Sequence, residues 1–217
     1  MAYKLYNSNL SPFSARVRIQ IYAKGLDVEL VNLPGGVSAE EFASKTPLHK
    51  VPLLETNGFC IPESQVIEEY LEEVEPAHPL MPATPEDRAR ARLLARIGDL
   101  YIMMPLGKLF GQINPQGRNQ DQVNHLFVEL DKALGWLAHY LDGSKYAVGD
   151  TLSIADSALV PMLFFASNIT PLFGRECVLC ETPMVHNYYY ATLEDPAVAK
   201  VHAELEAAFA AMMGAKR

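Results

Sequence analysis

The sequence predicts a small α/β half followed by an all-helical half. Three observations lead there. Strand-type and helix-type patterns alternate up to Glu75 in the order βαβ, a helix, then ββα. Four prolines, Pro76, Pro79, Pro82 and Pro85, crowd the next stretch and form a stiff connector that cannot continue a helix. From Glu86 onward the apolar residues recur at helical spacing.

Lys4-Leu5-Tyr6 opens a short strand. Ser14 to Lys24 sets Val17, Ile19, Ile21, Tyr22 and Ala23 on a broad apolar face, and Gly25 stops this helix as a left-handed C-terminal cap does. Asp27 to Leu33 alternates as a strand. Pro34-Gly35-Gly36 is a turn, and Ala39 to Lys45 reads as a short helix. Val51 to Glu55 and Phe59-Cys60-Ile61 flank Thr56-Asn57-Gly58, a hairpin signal. Ser64 to Glu75 carries Val66, Ile67, Tyr70, Leu71 and Val74 on one helical face. These patterns predict an α/β domain over 1–77, a connector over 78–85 and a helical domain over 86–217. The helical domain reads as long helices over 86–112 and 121–141, then shorter ones over 153–167, 183–193 and 196–213. Pro105 and Gly107 are expected to bend the first of them.

The net charge of −8 argues against nucleic acid and anionic membrane as partners. Three cysteines, an odd and small number, argue against a secreted disulfide framework. The N-terminal residues hold no apolar signal segment, and no run of about 18 apolar residues offers a membrane span. A cytoplasmic protein is expected.

Ser11 precedes Pro12, a residue suited to the first position of a helix, so Ser11 is a natural N-cap. Its hydroxyl can accept a helix N–H and still donate its own proton. A thiol held at such a helix end is acidified from its free pKa of about 8.5. A hydrogen bond to a charged group contributes about 1.5–3 kcal/mol, and about 1.4 kcal/mol corresponds to one pKa unit, so one such bond lowers the pKa by about one or two units. On spacing alone a plain capping serine is the better account of this position. Ser14 is the rival hydroxyl, because the helix can also begin there.

Three ordered segments resemble the soluble glutathione transferases. They are Ser11-Pro12-Phe13-Ser14-Ala15-Arg16-Val17-Arg18, Pro47-Leu48-His49-Lys50-Val51-Pro52-Leu53, and Glu63-Ser64-Gln65-Val66-Ile67-Glu68-Glu69-Tyr70-Leu71. The first is similar to the strand-to-helix turn of the serine-type theta, delta and zeta classes. A fourth, Ser153-Ile154-Ala155-Asp156, matches the family's helix start in the C-terminal domain and has capping-box spacing, which assigns it to folding.

The resemblance implies a thioredoxin-like N-terminal domain and an enzyme that stabilises the glutathione thiolate for attack on a small electrophile. Conjugation, dehalogenation, ether cleavage and cis–trans isomerisation all start from that thiolate. It implies Ser11, or alternatively Ser14, at the sulfur. It implies a cis Val51-Pro52 step whose backbone pairs with the cysteinyl unit, as a strand edge would. Lys50, with His49 beside it, would meet the glycine carboxylate. Ser64 would bind the γ-glutamyl carboxylate at a helix start, and Glu63 the ammonium. The second-substrate lining is expected from Asn9, Leu10 and Phe13 and from Tyr101, Met104 and Phe110. A homodimer is implied, with Asp99 reaching the other subunit's glutathione. Phe13 departs from the zeta pattern, which has Cys there, and this weakens the isomerase implication. The rivals are a non-catalytic binding or regulatory module and an omega-like thiol reductase. The latter requires a cysteine where this chain has Ser11 and Ser14.

Cys177-Val178-Leu179-Cys180 has redox or metal spacing, with His186 nearby. A closed zinc site needs four ligands and a second pair is missing, so a buried or idle pair, with no metal, is expected.

Overall fold

The computed structural model describes residues 2–214. They form two compact units, residues 2–80 with 195–214 and residues 81–194. The chain leaves the first unit inside the proline-rich connector and returns to it for the last helix.

The first unit contains β1 (Tyr3–Asn7), α1 (Pro12–Lys24), β2 (Val28–Asn32), α2 (Ala39–Lys45), β3 (Leu53–Thr56), β4 (Phe59–Pro62) and α3 (Ser64–Val74). The sheet order is β2-β1-β3-β4, with β1 parallel to β2 and antiparallel to β3. Strand periodicity divides the core between two faces. Tyr3, Leu5 and Leu54 point to α1 and α3, against Val17, Ile21, Ile67 and Leu71. Tyr6 and Leu53 point the other way, against Val31 and Phe42. The β3–β4 hairpin turns through Asn57 and Gly58, both at positive φ, as a two-residue turn requires.

Helix α1 begins at Pro12, not at Ser14, and ends at Gly25 in the left-handed conformation. It is buried on more faces than its apolar stripe predicts. Arg16, Arg18, Gln20 and Lys24 are also buried. Arg16 donates to Ser64 Oγ at 3.2 Å and lies 3.9 Å from Glu68. Gln20 donates to the Glu68 carbonyl at 2.9 Å, and Lys24 lies 2.9 Å from Glu72. Arg18 lies 2.9 Å from Glu204, which sits on the last helix, α9 (Pro196–Gly214). That ion pair, with the Tyr22 hydroxyl donating to Glu204 at 2.8 Å, ties α9 to the first unit.

The second unit contains α4 (Pro85–Ile97), α5 (Met103–Phe110), α6 (Gln120–Tyr140), α7 (Ile154–Ile169) and α8 (Pro183–Thr192). A widened π-helical turn over Gly98–Ile102 joins α4 to α5. The predicted single helix is therefore interrupted upstream of Pro105 and Gly107, which both lie inside α5. Pro105 supplies no N–H to the carbonyl four residues earlier and crowds it. Gly98, which opens the widened turn, also admits α7: a Cβ there would sit 2.9 Å from Met162 Sδ. Among the described residues no helix is long and apolar enough to cross a membrane.

The Ser153–Asp156 capping box forms as its spacing predicts. Asp156 does more than cap. It accepts from Ser153 N–H and Oγ, each at 2.8 Å, from Ala147 N–H at 2.8 Å and from the Tyr188 hydroxyl at 2.9 Å. Burial pushes its pKa up, and these donors oppose that shift. Asp156→Ala removes the reciprocal half of the capping box and deprives buried donors on Ser153, Ala147 and Tyr188 of their acceptor, with partial compensation from the lost buried carboxylate. The expected cost is about 2–4 kcal/mol in equilibrium denaturation. A loss below about 1 kcal/mol would show that Tyr188 and Ala147 find other acceptors.

Candidate functional site

The site begins where β1 hands over to α1. Ser11 is the N-cap, with φ −85° and ψ 122°, and its Oγ accepts the Ser14 N–H at 3.2 Å. That leaves the Ser11 proton available to a further acceptor. Ser11 is half-buried, whereas Ser14 is fully buried. The Ser14 hydroxyl accepts a long 3.5 Å bond from Ser8 N–H. The other polar groups at this turn are committed. The buried Tyr6 hydroxyl donates to Glu55 at 2.8 Å. Asn7 bonds Asn9 Oδ1 at 2.8 Å and also Asn32 and Arg18. Arg18 further holds the Ser8 and Asn9 carbonyls, each at 3.2 Å, and so pins the loop that carries Ser11.

Lys50, Val51, Pro52, Glu63 and Ser64 line one cavity together with Phe13, Leu48 and Pro62. The Val51-Pro52 peptide bond is cis, as the resemblance implies. Pairing of β3 with β1 begins at Leu53, so the Val51 N–H and C=O lie outside the ladder. Glu63 has φ 71° and ψ 117° immediately before α3. A non-glycine residue held there costs about 1–3 kcal/mol, and such strain clusters at ligand clamps. Ser64 is the first residue of α3, where N–H groups and the helix dipole favour an anion. Its Oγ accepts from Arg16, which leaves its proton for a ligand. The cavity thus offers a cation from Lys50, an anion from Glu63 and an anion-binding helix start, a set suited to a zwitterionic peptide.

The remaining predicted residues lie elsewhere. His49, at φ 50°, lines a neighbouring cavity with Leu33, Pro34 and Phe42. Asn9 is exposed, with its side-chain oxygen engaged by Asn7, and Leu10 is half-buried. Asp99 lies in the π-helical turn of the second unit. Tyr101 and Met104 line a groove of about 340 Å³ in that unit, with Leu100, Lys108, Lys132 and Trp136. Tyr101 meets Trp136 edge to face at 5.1 Å. Phe110 is outside that lining and packs on Phe165 at 5.5 Å. Sequence reasoning gave Leu48, Pro62, Arg16 and Trp136 no role. Leu48 lies inside the quoted second segment but carries no polar group to attract a role.

The cysteine expectation is corrected. Cys177 and Cys180 are exposed and joined in a disulfide. The two-residue spacing on a tight turn brings their Cα atoms to 5.3 Å, inside the bridging range. Cys60 is free and half-buried, and burial pushes its thiol pKa up.

Comparison with known proteins places this geometry. Residues 5–79 match the family described as glutathione S-transferase, N-terminal domain, and residues 120–191 match glutathione S-transferase, C-terminal domain. The chain is 37% identical over 171 residues to maleylacetoacetate isomerase of Mus musculus, covering 73% of this chain and 76% of that protein. It is 26% identical over 216 residues to a glutathione S-transferase of Pseudomonas putida, covering 97% and 96%. Among solved structures it resembles a glutathione S-transferase of Methylobacterium radiotolerans in complex with glutathione sulfonate, with a TM-score of 0.78, 25% identity and coverage of 93% and 94%. A tau-class enzyme of Mangifera indica shares the fold at a TM-score of 0.82, with 24% identity and coverage of 97% and 98%.

The capping geometry separates the two serines in stability. Ser11→Ala is expected to cost about 0.5–2 kcal/mol as a lost N-cap. Ser14→Ala loses only a long bond and is expected to cost under about 1 kcal/mol. Urea denaturation of both variants checks the order, and a larger loss at Ser14 would reverse the assignment of the cap.

Proposed function

This chain belongs to the soluble glutathione transferase family, and from that premise we propose that Ser11 holds the thiolate of bound glutathione for attack on a small apolar electrophile. The chain is a glutathione transferase with glutathione as its co-substrate. The proposal concerns how this site does the work. The single observation that carries it is the convergence of Lys50, Val51, Pro52, Glu63 and Ser64 on one cavity with Phe13, two residues from the accessible N-cap Ser11.

In this reading Lys50 takes the glycine carboxylate and the Val51 backbone pairs with the cysteinyl unit. Ser64, through its hydroxyl and N–H, takes the γ-glutamyl carboxylate, and Glu63 takes the ammonium. The sulfur then lies at the start of α1, where the helix end and the Ser11 proton both favour negative charge. The thiolate forms a bond to the electrophilic carbon. Either a leaving group departs with its electron pair, or the carbanion formed takes up a proton. The protein supplies orientation and charge stabilisation rather than its own nucleophile. His49 has no part in this proposal, since it lines the neighbouring cavity.

A second reading, glutathione-dependent cis–trans isomerisation, is favoured by the 37% identity to the murine maleylacetoacetate isomerase. There the thiolate adds to a double bond, the bond rotates, and elimination returns the thiol. Consumption of glutathione with turnover separates conjugation from isomerisation.

The domain roles of the notional halves 1–77 and 86–217, the cytoplasmic setting and a two-fold homodimer complete the proposal. Support for the dimer comes from large apolar side chains left exposed, Phe59 and Val66 in the first unit and Leu100 and Trp136 in the second. Asp99 is then the residue offered to the partner's glutathione. Sedimentation at micromolar concentration is expected to give twice the chain mass, and a monomer would refute the pairing.

The decisive experiment is a spectroscopic titration of the glutathione thiol bound to Ser11→Ala and Ser14→Ala. Ser11→Ala is expected to raise its pKa by about one or two units, leaving affinity little changed. Ser14→Ala is expected to leave it in place. The reverse pattern would transfer the role to Ser14.

A further inference from the structure

We infer that Cys177, Cys180 and His186, once the disulfide is reduced, form a binding site for a zinc-type divalent cation that is separate from the transferase site. The two sulfurs and a ring nitrogen of His186 all lie within 4.8 Å of one another. The proposed transfer reaction uses none of these residues.

The local fold builds the cluster. Cys180 N–H bonds the Cys177 carbonyl at 3.2 Å, closing a tight turn. Within it Val178 and Leu179 are buried, so the turn is anchored by its centre while both cysteines stay exposed. His186 enters from the first turn of α8, where its N–H bonds the Thr182 carbonyl at 3.1 Å. Its ring is steadied by Tyr190 at 4.7 Å and by Asn187 Oδ1, 3.4 Å from Nδ1. Arg175 braces the turn from outside, pairing with Glu181 and with Asp131 of α6. The ligands thus stand on a braced frame rather than a loose loop.

The donor set selects the ion. Two thiolates and an imidazole suit zinc and its neighbours, not magnesium or calcium. Ligand distances of about 2.3 Å to sulfur and 2.0–2.1 Å to nitrogen place tetrahedral donors about 3.3–3.8 Å apart. The observed cluster reaches that by rotation of exposed cysteine side chains. The absence of a second cysteine pair does not exclude the site. Four protein ligands are needed for a closed structural site, whereas three with a water in the fourth position make an open one.

Oxidation state controls occupancy. One glutathione thiolate attacks a sulfur of the disulfide, forming a mixed disulfide and freeing one cysteine thiolate. A second glutathione thiolate attacks the tripeptide sulfur of that mixed disulfide, releasing glutathione disulfide and the second cysteine thiolate. Two electrons pass from the two glutathione thiols to the protein's sulfurs. The protons those thiols release are available to the cysteines, and metal binding displaces them.

The test uses the full chain, reduced with a phosphine, freed of reductant under anaerobic conditions and titrated with Co²⁺. The expected result is a thiolate-to-cobalt charge-transfer band that saturates at one ion per chain and is lost on adding Zn²⁺. The oxidised chain is expected to give no band. Cys177→Ser and Cys180→Ser are expected to abolish it, His186→Ala to weaken binding by at least about tenfold, and Cys60→Ser to leave it unchanged. Circular dichroism and glutathione binding of each variant verify folding, with Cys177→Ala and Cys180→Ala as replacements for any serine variant that fails that check. No band in the reduced parent, retention of the band without either cysteine, or unchanged affinity without His186 would overturn the site. Loss of the band in Cys60→Ser would do so too.

Discussion

Arg18 has no exposed surface, yet its guanidinium reaches four places at once: the Asn7 side chain, the Ser8 and Asn9 carbonyls and Glu204. A buried charge stripped of its partners costs several kcal/mol, so this arrangement holds as a set. Its geometric result is local. The three residues before the Ser11 cap cannot wander, because two of their carbonyls and the preceding asparagine are held by one rigid fork. The orientation of the Ser11 hydroxyl follows from that restraint as much as from the helix it caps.

A second buried guanidinium extends the same logic to the other end of the peptide cavity. Arg16 lies two residues before Arg18 on α1 and bonds Ser64 Oγ at the start of α3. The two helix starts, one proposed for the sulfur and one for the γ-glutamyl carboxylate, are thereby coupled through a single side chain. Loops alone would let these two anion sites drift apart. Here the span between them is set by packed helices, which is the preorganisation that orientation-based catalysis needs.

The parts of this design that are local in sequence were legible before the structure. The Ser11-Pro12 start, the Gly25 stop, the Asn57-Gly58 turn and the Ser153–Asp156 box each depend on neighbours within a few residues, and each formed. The interior of α1 was not legible. Arginine, glutamine and lysine read as solvent-facing, and their burial rests on Glu68, Glu72 and Glu204, partners that spacing alone does not pair with them. The cis step at Val51-Pro52 was readable only through resemblance, since most such bonds are trans. His49 and Lys50 are adjacent in sequence yet line different cavities, because the backbone takes a left-handed step at His49. The cysteine pair was misread because spacing alone does not tell an idle pair from one that a turn draws together.

The return of α9 to the first unit makes that unit discontinuous along the chain. Synthesis from the N-terminus therefore delivers the sheet and α1 long before Glu204 exists. Until the final helix emerges, Arg18 has only neutral partners among the groups it contacts, and the second unit, an uninterrupted stretch, is complete first. Of the two units, the peptide-binding one is thus finished later on the ribosome, although its strands leave before any part of the other. A chain that stops short of its last helix would retain every residue of the cavity described here and lack the charge that holds the cap in place.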